Sequence, residues 1–157
     1  MSDLPNENVH DYPRPPRLEA VPHRVCIRLG DRTIANTTRA LRVLETHHAP
    51  TYYLPPEDVA ADFAPASGGS FCEWKGQARY FDVSAGGILA PRAAWSYAAP
   101  SRAFAALADH LAFYAGLMTS CSVGGEPVIP QPGDFYGGWV TANLTGRPKG
   151  ARGTEHW

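Results

Sequence analysis

The sequence predicts a mainly β fold: a single compact antiparallel barrel- or sandwich-like domain of hairpins with one or two short helices. Three observations carry this. Apolar and polar residues alternate over short runs, the period of a strand with one buried face. Glycine-containing pairs sit between those runs, where two-residue hairpin turns belong. The 157 residues include 15 Gly and 15 Pro, which interrupt the chain too often for long helices. Without long helices alternating with strands, a doubly wound fold is excluded.

Residues 1–17 hold four prolines among polar residues and have little to bury. They read as a flexible Pro-rich N-terminal arm, extended in part over the domain. The β domain is expected over 18–130. Val25, Ile27 and Leu29 alternate with Cys26 and Arg28, and Gly30-Asp31 turns the chain into a returning strand from Arg32 to Thr38. Leu41 and Val43 flank Arg42 in the same way. Thr51 to Leu54 is β-branched and aromatic, and Pro55-Pro56 ends it because neither residue can donate a ladder hydrogen bond. Pro56-Glu57-Asp58-Val59 opens one helical turn, with its acidic residues near the positive end. Pro65 to Ser70 reads as loop. Lys75 to Val83 is a strand, Gly86-Gly87 a turn, and Ala93 to Tyr97 the partner strand, with Trp95 and Tyr97 on one face. Ser101 can cap a short helix through Ala108, with Phe104, Leu107 and Leu111 at helical spacing. Met118 to Val123 and Glu126 to Ile129 flank Gly124-Gly125, a hairpin signal. Residues 131–157 form a Gly- and aromatic-rich extension without periodicity.

Charge and cysteine usage exclude several classes. Fourteen Lys and Arg balance fifteen Asp and Glu, with no long run of either sign. Nucleic-acid binding draws on clustered cations, so no nucleic-acid partner is expected. Three cysteines without a C-x-x-C pair fit neither a disulfide framework nor a zinc ribbon. Reduced thiols in the cytoplasm are the simplest reading. No stretch approaches the ~20 apolar residues that span a bilayer, and the N-terminus lacks the apolar core of a secretory signal.

Candidate chemistry concentrates in Phe71-Cys72-Glu73-Trp74-Lys75-Gly76. Cys72 and Lys75 bring a thiol and an amine to a strand start, beside a pocket floored by Trp74, Trp95 and Tyr97. An ammonium nearby makes a thiol more nucleophilic. The competing reading is a small packing residue beside a lysine whose stem covers apolar surface, the two pointing to opposite faces. Gly76 marks a close backbone approach. Asp58 and Asp62, four apart, would share a helical face and hold a divalent cation with substrate phosphates; without a further ligand they make a weak site or a solvated pair. The six histidines show no H-x-x-x-H or H-E-x-x-H spacing, so neither a metal nor a cofactor is expected. His110 is a candidate general base, or a core histidine with a satisfied hydrogen bond. Gly146 to Gly153 is basic and glycine-rich, a phosphate cradle or a mobile C-terminus, and does not match a Walker loop. The aromatics suit a pocket wall for a flat ligand, or a homodimer interface.

Four blocks carry a family resemblance. They are Tyr52-Tyr53-Leu54-Pro55-Pro56-Glu57-Asp58-Val59; Cys72 with Lys75-Gly76, Ala78 and Tyr80; Ala94-Trp95-Ser96-Tyr97 with Pro100; and His110 with Ala112-Phe113-Tyr114. Their order and spacing over Leu18 to Pro130 resemble the family called domain of unknown function 427, also labelled nucleotidyltransferase-like. The tail, Gly137-Gly138-Trp139-Val140-Thr141 through Gly146 to Gly150, looks like the ending of a longer subgroup. The resemblance implies a compact, mainly β single domain and brings no established activity. Familiar nucleotidyltransferases follow a Gly-Ser turn with Asp-x-Asp; Gly69-Ser70 is present and no Asp-x-Asp follows.

The leading expectation is a cytoplasmic domain that binds a small aromatic or phosphorylated molecule in a pocket, with Tyr53, Lys75, Trp95 and Tyr97 as ligand-binding residues. One alternative is a nucleotide-acting transferase using a divalent metal at Asp58 and Asp62, with Lys75, Asp58 and His110 as catalytic candidates. The other is a non-catalytic protein-interaction module that presents its aromatics to a partner or a second copy.

Overall fold

The computed structural model describes residues 4–133, 136–151 and 154. Three antiparallel sheets form the body. The main sheet runs in the order Ala112–Phe113, Ile88–Ser96, Gly76–Ala85, Asp62–Cys72. The second has the order Glu126–Pro127, Ser120–Val123, Val25–Leu29, Arg32–Thr37, and the third Arg17–Ala20, Leu41–Leu44, Thr51–Tyr53. Two short ladders add the ends of the chain: Ile129–Pro130 pairs antiparallel with Trp139–Val140, and Glu7–Asn8 pairs parallel with Leu144–Thr145.

The sheets do not close into a barrel; they pack as a sandwich, one of the two arrangements that the period-2 patterns allow. Val25, Ile27 and Leu29 all turn inward and meet Ile34 and Val123 from neighbouring strands and Val83, Ala90, Ala94 and Phe113 from the main sheet. A second core lies against the other half of the main sheet. There Val43 and Tyr53 of the third sheet face Ala78, Tyr80, Trp95 and Tyr97, with Phe104 and Leu107 closing the end. The main sheet is therefore shared. Its pairing slips between Phe81/Ala94 and Val83/Ala90, at the boundary between the halves, and Arg92 takes a positive φ of 51° there.

The glycine pairs behave as the sequence predicts. Gly86-Gly87 and Gly124-Gly125 each take φ > 0 at both positions, the requirement of the tight turn whose twist suits a hairpin. The Pro56–Asp58 turn is a single 3-10 turn. Over 101–108 the expected short helix is a 3-10 segment, Arg102–Leu107, broken at Phe104 (φ −118°, ψ 22°). Ser101 does not cap it, because its hydroxyl donates to the Trp74 carbonyl instead. Only Phe104 and Leu107 need burying there, and one irregular turn suffices.

Two other segments differ from their composition. Pro65 to Ser70, expected as loop, lies inside the long edge strand Asp62–Cys72. Proline is tolerated because the strand is an edge, and the pairing shifts between Pro65 and Gly69, with Gly68 at φ 84°. The stretch expected as a flexible arm is packed over its described residues. Val9 and Tyr12 bury against Leu44, with Leu144 alongside, and Arg42 bonds Glu7. A 3-10 turn at Val9–Asp11 gathers these few apolar groups on one side, a pattern too short to register as periodicity.

Candidate functional site

Phe71 to Gly76 turns out to be a hairpin tip between the two longest strands. Cys72 pairs with Gly76, and Glu73, Trp74 and Lys75 form the turn. Opposite facing of Cys72 and Lys75 required a strand; in a turn both reach the same cavity, which corrects that expectation. The turn is pinned from outside. The Ser101 N–H donates to the Lys75 carbonyl at 3.0 Å, and Gly76, at φ 110°, lies where a Cβ would touch the Ala99 carbonyl.

The cavity holds about 500 Å³, within the usual range for small-molecule sites. It lies between the third sheet and the outer half of the main sheet. Tyr53 reaches it from the end of the Thr51–Tyr53 strand, Trp95 and Tyr97 from the end of Ile88–Ser96, and Lys75 from the pinned turn. The Tyr53 ring is 1% exposed and meets Trp95 edge-on at a centroid distance of 6.5 Å and Tyr97 at 6.3 Å. Tyr114 packs on Trp95 at 4.7 Å, and the Ser70 and Tyr80 hydroxyls share a 2.8 Å hydrogen bond. Burial pushes the Tyr53 and Tyr97 hydroxyls far above the ordinary phenol range, so both are neutral donors at any working pH. Phe71, 74% exposed, stands among the lining residues as an apolar group on the open side.

Charge is distributed asymmetrically around this wall. Arg14, Lys75 and Lys149 line the cavity, against Glu45 and Glu73. Among the described residues no carboxylate forms an ion pair with any of the three cations. The Lys75 ammonium sits 6.0 Å from the Tyr97 ring centroid and that of Lys149 5.7 Å from Tyr136. His48 is half-buried, with Nδ1 3.0 Å from the Thr46 carbonyl. Burial lowers its pKa; Glu45 acts against the shift, and the nearby charges of Lys149 and Lys75 add to it.

The tail builds one side of the cavity. Gln131, 2% exposed, accepts from the Ala49 N–H at 2.9 Å and donates to the Lys149 carbonyl at 2.8 Å. Gly137 lies so close to the Trp95 indole that any side chain would overlap it, and Gly138 is equally tight against Gln131 and Ala49. Residues 136–151 form a docked strap; of the stretch Gly146 to Gly153, expected as a phosphate cradle or mobile C-terminus, 146–151 belong to it and 152–153 lie outside the described residues. The strap is held by bonds to buried backbone that its own composition does not reveal.

The structure brings together Tyr53, Lys75, Trp95 and Tyr97 and leaves out two other candidates. Asp58 is absent from the cavity lining. It accepts from Arg39 at 2.8 and 3.1 Å and from the Thr37 hydroxyl at 2.7 Å, bonds that hold its carboxyl below the usual range. Asp62 begins the next strand, so the pair shares no helical face. Among the described residues no group of three His, Cys, Asp or Glu is arranged to hold a metal ion. His110 also lies outside the cavity lining, with Nδ1 3.3 Å from the Ala108 carbonyl. Sequence reasoning missed Arg14, His48, Gln131 and Gly137, and placed Lys149 only within the basic stretch Gly146 to Gly153. The one usable signal was Gly137-Gly138 before Trp139, since paired glycines beside a large aromatic mark a close approach.

Fold and cavity together define a strand-rich sandwich domain with an aromatic-walled, cation-rimmed pocket. The chain belongs to the family described as "Domain of unknown function (DUF427)", whose model matches residues 17–124. No curated protein matches it. Tyr53, Lys75, Trp95 and Tyr97 lie within the matched residues, whereas Gln131, Gly137 and Lys149 follow them. No helix among the described residues is long and apolar enough to cross a membrane.

The cysteines supply a test of the packing. Burial alone pushes the Cys121 thiol up to about 12, while Cys26 and Cys72 are partly exposed. Iodoacetamide at pH 8 is expected to alkylate Cys26 and Cys72 in the folded protein and to reach Cys121 only after unfolding, as read by peptide mass. Native labelling of Cys121 at a comparable rate contradicts the packing around Val25–Leu29 and Ser120–Val123.

Proposed function

We propose that this is a cytoplasmic protein that binds a small aromatic or phosphorylated molecule in the cavity between the third and main sheets. The observation that supports this reading is convergence. Tyr53, Lys75, Trp95 and Tyr97 come from three separate segments and line one concavity of ligand size. The buried tyrosine hydroxyls stay neutral, the rings offer apolar walls, and Lys75 offers a charge that no carboxylate pairs among the described residues. A ligand with a flat body and an acidic or phosphorylated end matches all three. The transferase reading draws no support from the geometry, because Asp58 is engaged by Arg39 and Thr37 away from the cavity. The balanced surface charge remains a reason to expect no nucleic-acid partner.

Thermal unfolding against a panel of nucleotides, aromatic acids and sugar phosphates tests the proposal. A true ligand at 100 times its Kd adds about 2.7 kcal/mol, a rise of several degrees in Tm for a domain this size. Asp58→Asn is expected to keep that rise and Lys75→Met to lose most of it. No rise with any compound at millimolar concentration refutes a ligand-binding cavity.

A further inference from the structure

Resting on the cavity reading, we propose that the C-terminal extension completes the site, and that Lys75 and Lys149 together seat the phosphate of an aromatic phosphate monoester. The two lysines come from different parts of the chain. Lys75 stands on the hairpin tip, within the family-matched residues; Lys149 stands on the strap, beyond them. Both line the same cavity, and both ammoniums, together with the Glu45 carboxylate, bear on one imidazole, that of His48. Like charges lining one cavity repel each other, and among the described residues neither lysine forms an ion pair with a carboxylate. An arrangement of that kind gains when an anion enters between the charges.

The extension holds Lys149 by its backbone. The Gln131 side chain donates to the Lys149 carbonyl, and the Lys149 N–H donates to the His47 carbonyl. Gln131 in turn accepts from Ala49. The ammonium carries no part of this anchoring, so it is free to serve a ligand. Each ammonium also leans on a tyrosine ring, Tyr97 for Lys75 and Tyr136 for Lys149, which positions it without neutralising it. The aromatic body of the ligand then lies toward Tyr53, Trp95 and Tyr97, whose hydroxyl and indole groups reach the same space. Glu45 and Glu73 also line the cavity and disfavour a second anion. A phosphate monoester, close to a dianion at pH 7, balances two ammoniums, where a carboxylate balances one.

The test uses the full chain, with phenyl phosphate, benzoate and phenol as probes. Binding is followed by calorimetry and tryptophan fluorescence in wild type, Lys75→Gln and Lys149→Gln. Because the anchors of residue 149 are backbone groups, both variants are expected to melt near wild type. Phenyl phosphate is expected to bind at least about tenfold tighter than phenol, with benzoate between them, and to weaken as salt rises. Each variant is expected to lose about tenfold for phenyl phosphate and nothing for phenol. Equal affinities for phenol and phenyl phosphate overturn the anion seat while leaving the cavity reading intact. Loss in Lys75→Gln but not in Lys149→Gln overturns the role of the extension. Failure of all three probes to bind overturns the seat and the cavity reading together.

Discussion

Replacing Trp139 with alanine is expected to destabilise the protein by about 3–5 kcal/mol, the range for large aromatics removed from a core. The residue is 1% exposed although it lies beyond the family-matched segment. Its ring stacks on Tyr52 at 5.2 Å and 28°, its indole N–H donates to the Phe113 carbonyl at 2.9 Å, and its backbone N–H donates to the Pro50 carbonyl at 2.8 Å. Alanine keeps only the last of these. It leaves a void beside Tyr52 and a buried carbonyl without its donor, two costs that add. The loss also reaches the cavity, since Gly137 and Gly138 sit just before Trp139 and depend on its anchoring to stay against Trp95 and Gln131. Urea denaturation should show the midpoint falling by about 1.5–2.5 M at an m-value of about 2 kcal/mol/M. Trp139→Phe keeps the stack and loses the hydrogen bond, and is expected to cost about 1–2 kcal/mol. A loss below about 1 kcal/mol in the alanine variant means that the strap is not part of the cooperative unit in solution.

The contrast between Trp139 and the hairpins explains what could be read in advance. Val25–Leu29 with Arg32–Thr37, and Ser120–Val123 with its glycine turn, declare themselves because period and turn are both local. Tyr53, Trp95 and Tyr97 were legible for a related reason. Aromatics at strand ends in a sandwich this small have few places to go except inward, near one another. What failed was non-local. Pro65 to Ser70 has the composition of a loop and becomes strand only because Phe81 and Ala78 hold its two ends. Asp58 looked available until Arg39, distant in sequence from it, took both carboxylate oxygens. The extension shows no periodicity because its order comes from single buried anchors, Gln131 and Trp139, not from a repeating face. Lys149 could not be placed opposite Lys75 without knowing those anchors.

The N-terminal arm rests on a similar single anchor, and removing it is the second large effect expected. Arg42 lies between two carboxylates, 2.9 Å from Glu7 and 2.6 Å from Glu19, with the three side chains only 16%, 20% and 32% exposed. Arg42→Ala is expected to cost about 2–3 kcal/mol, just below the range for breaking a fully buried pair, because solvent still reaches the cluster. The pH dependence gives the mechanism a separate readout. Burial alone would raise the Glu7 carboxyl, but hydrogen bonds from Arg42 and the Tyr12 hydroxyl outweigh it and hold the group below the ordinary carboxylate value. The folded state therefore binds the proton less readily than the unfolded state. The stabilisation is complete above the unfolded carboxylate pKa of about 4.3 and is lost as pH falls below it. Without Arg42 the Glu7 carboxyl keeps only the Tyr12 hydroxyl as a close donor, its depression is smaller, and acid removes less of that stability. The gap between wild type and Arg42→Ala in urea melts should then narrow as pH falls from about 5 to about 3. Hydrogen exchange reads the same event locally. The Glu7 amide, bonded to the Asn143 carbonyl at 3.0 Å, is expected to lose protection in the variant ahead of Val25–Leu29. A gap that stays constant with pH would assign the loss to packing of the arginine stem and not to its charge.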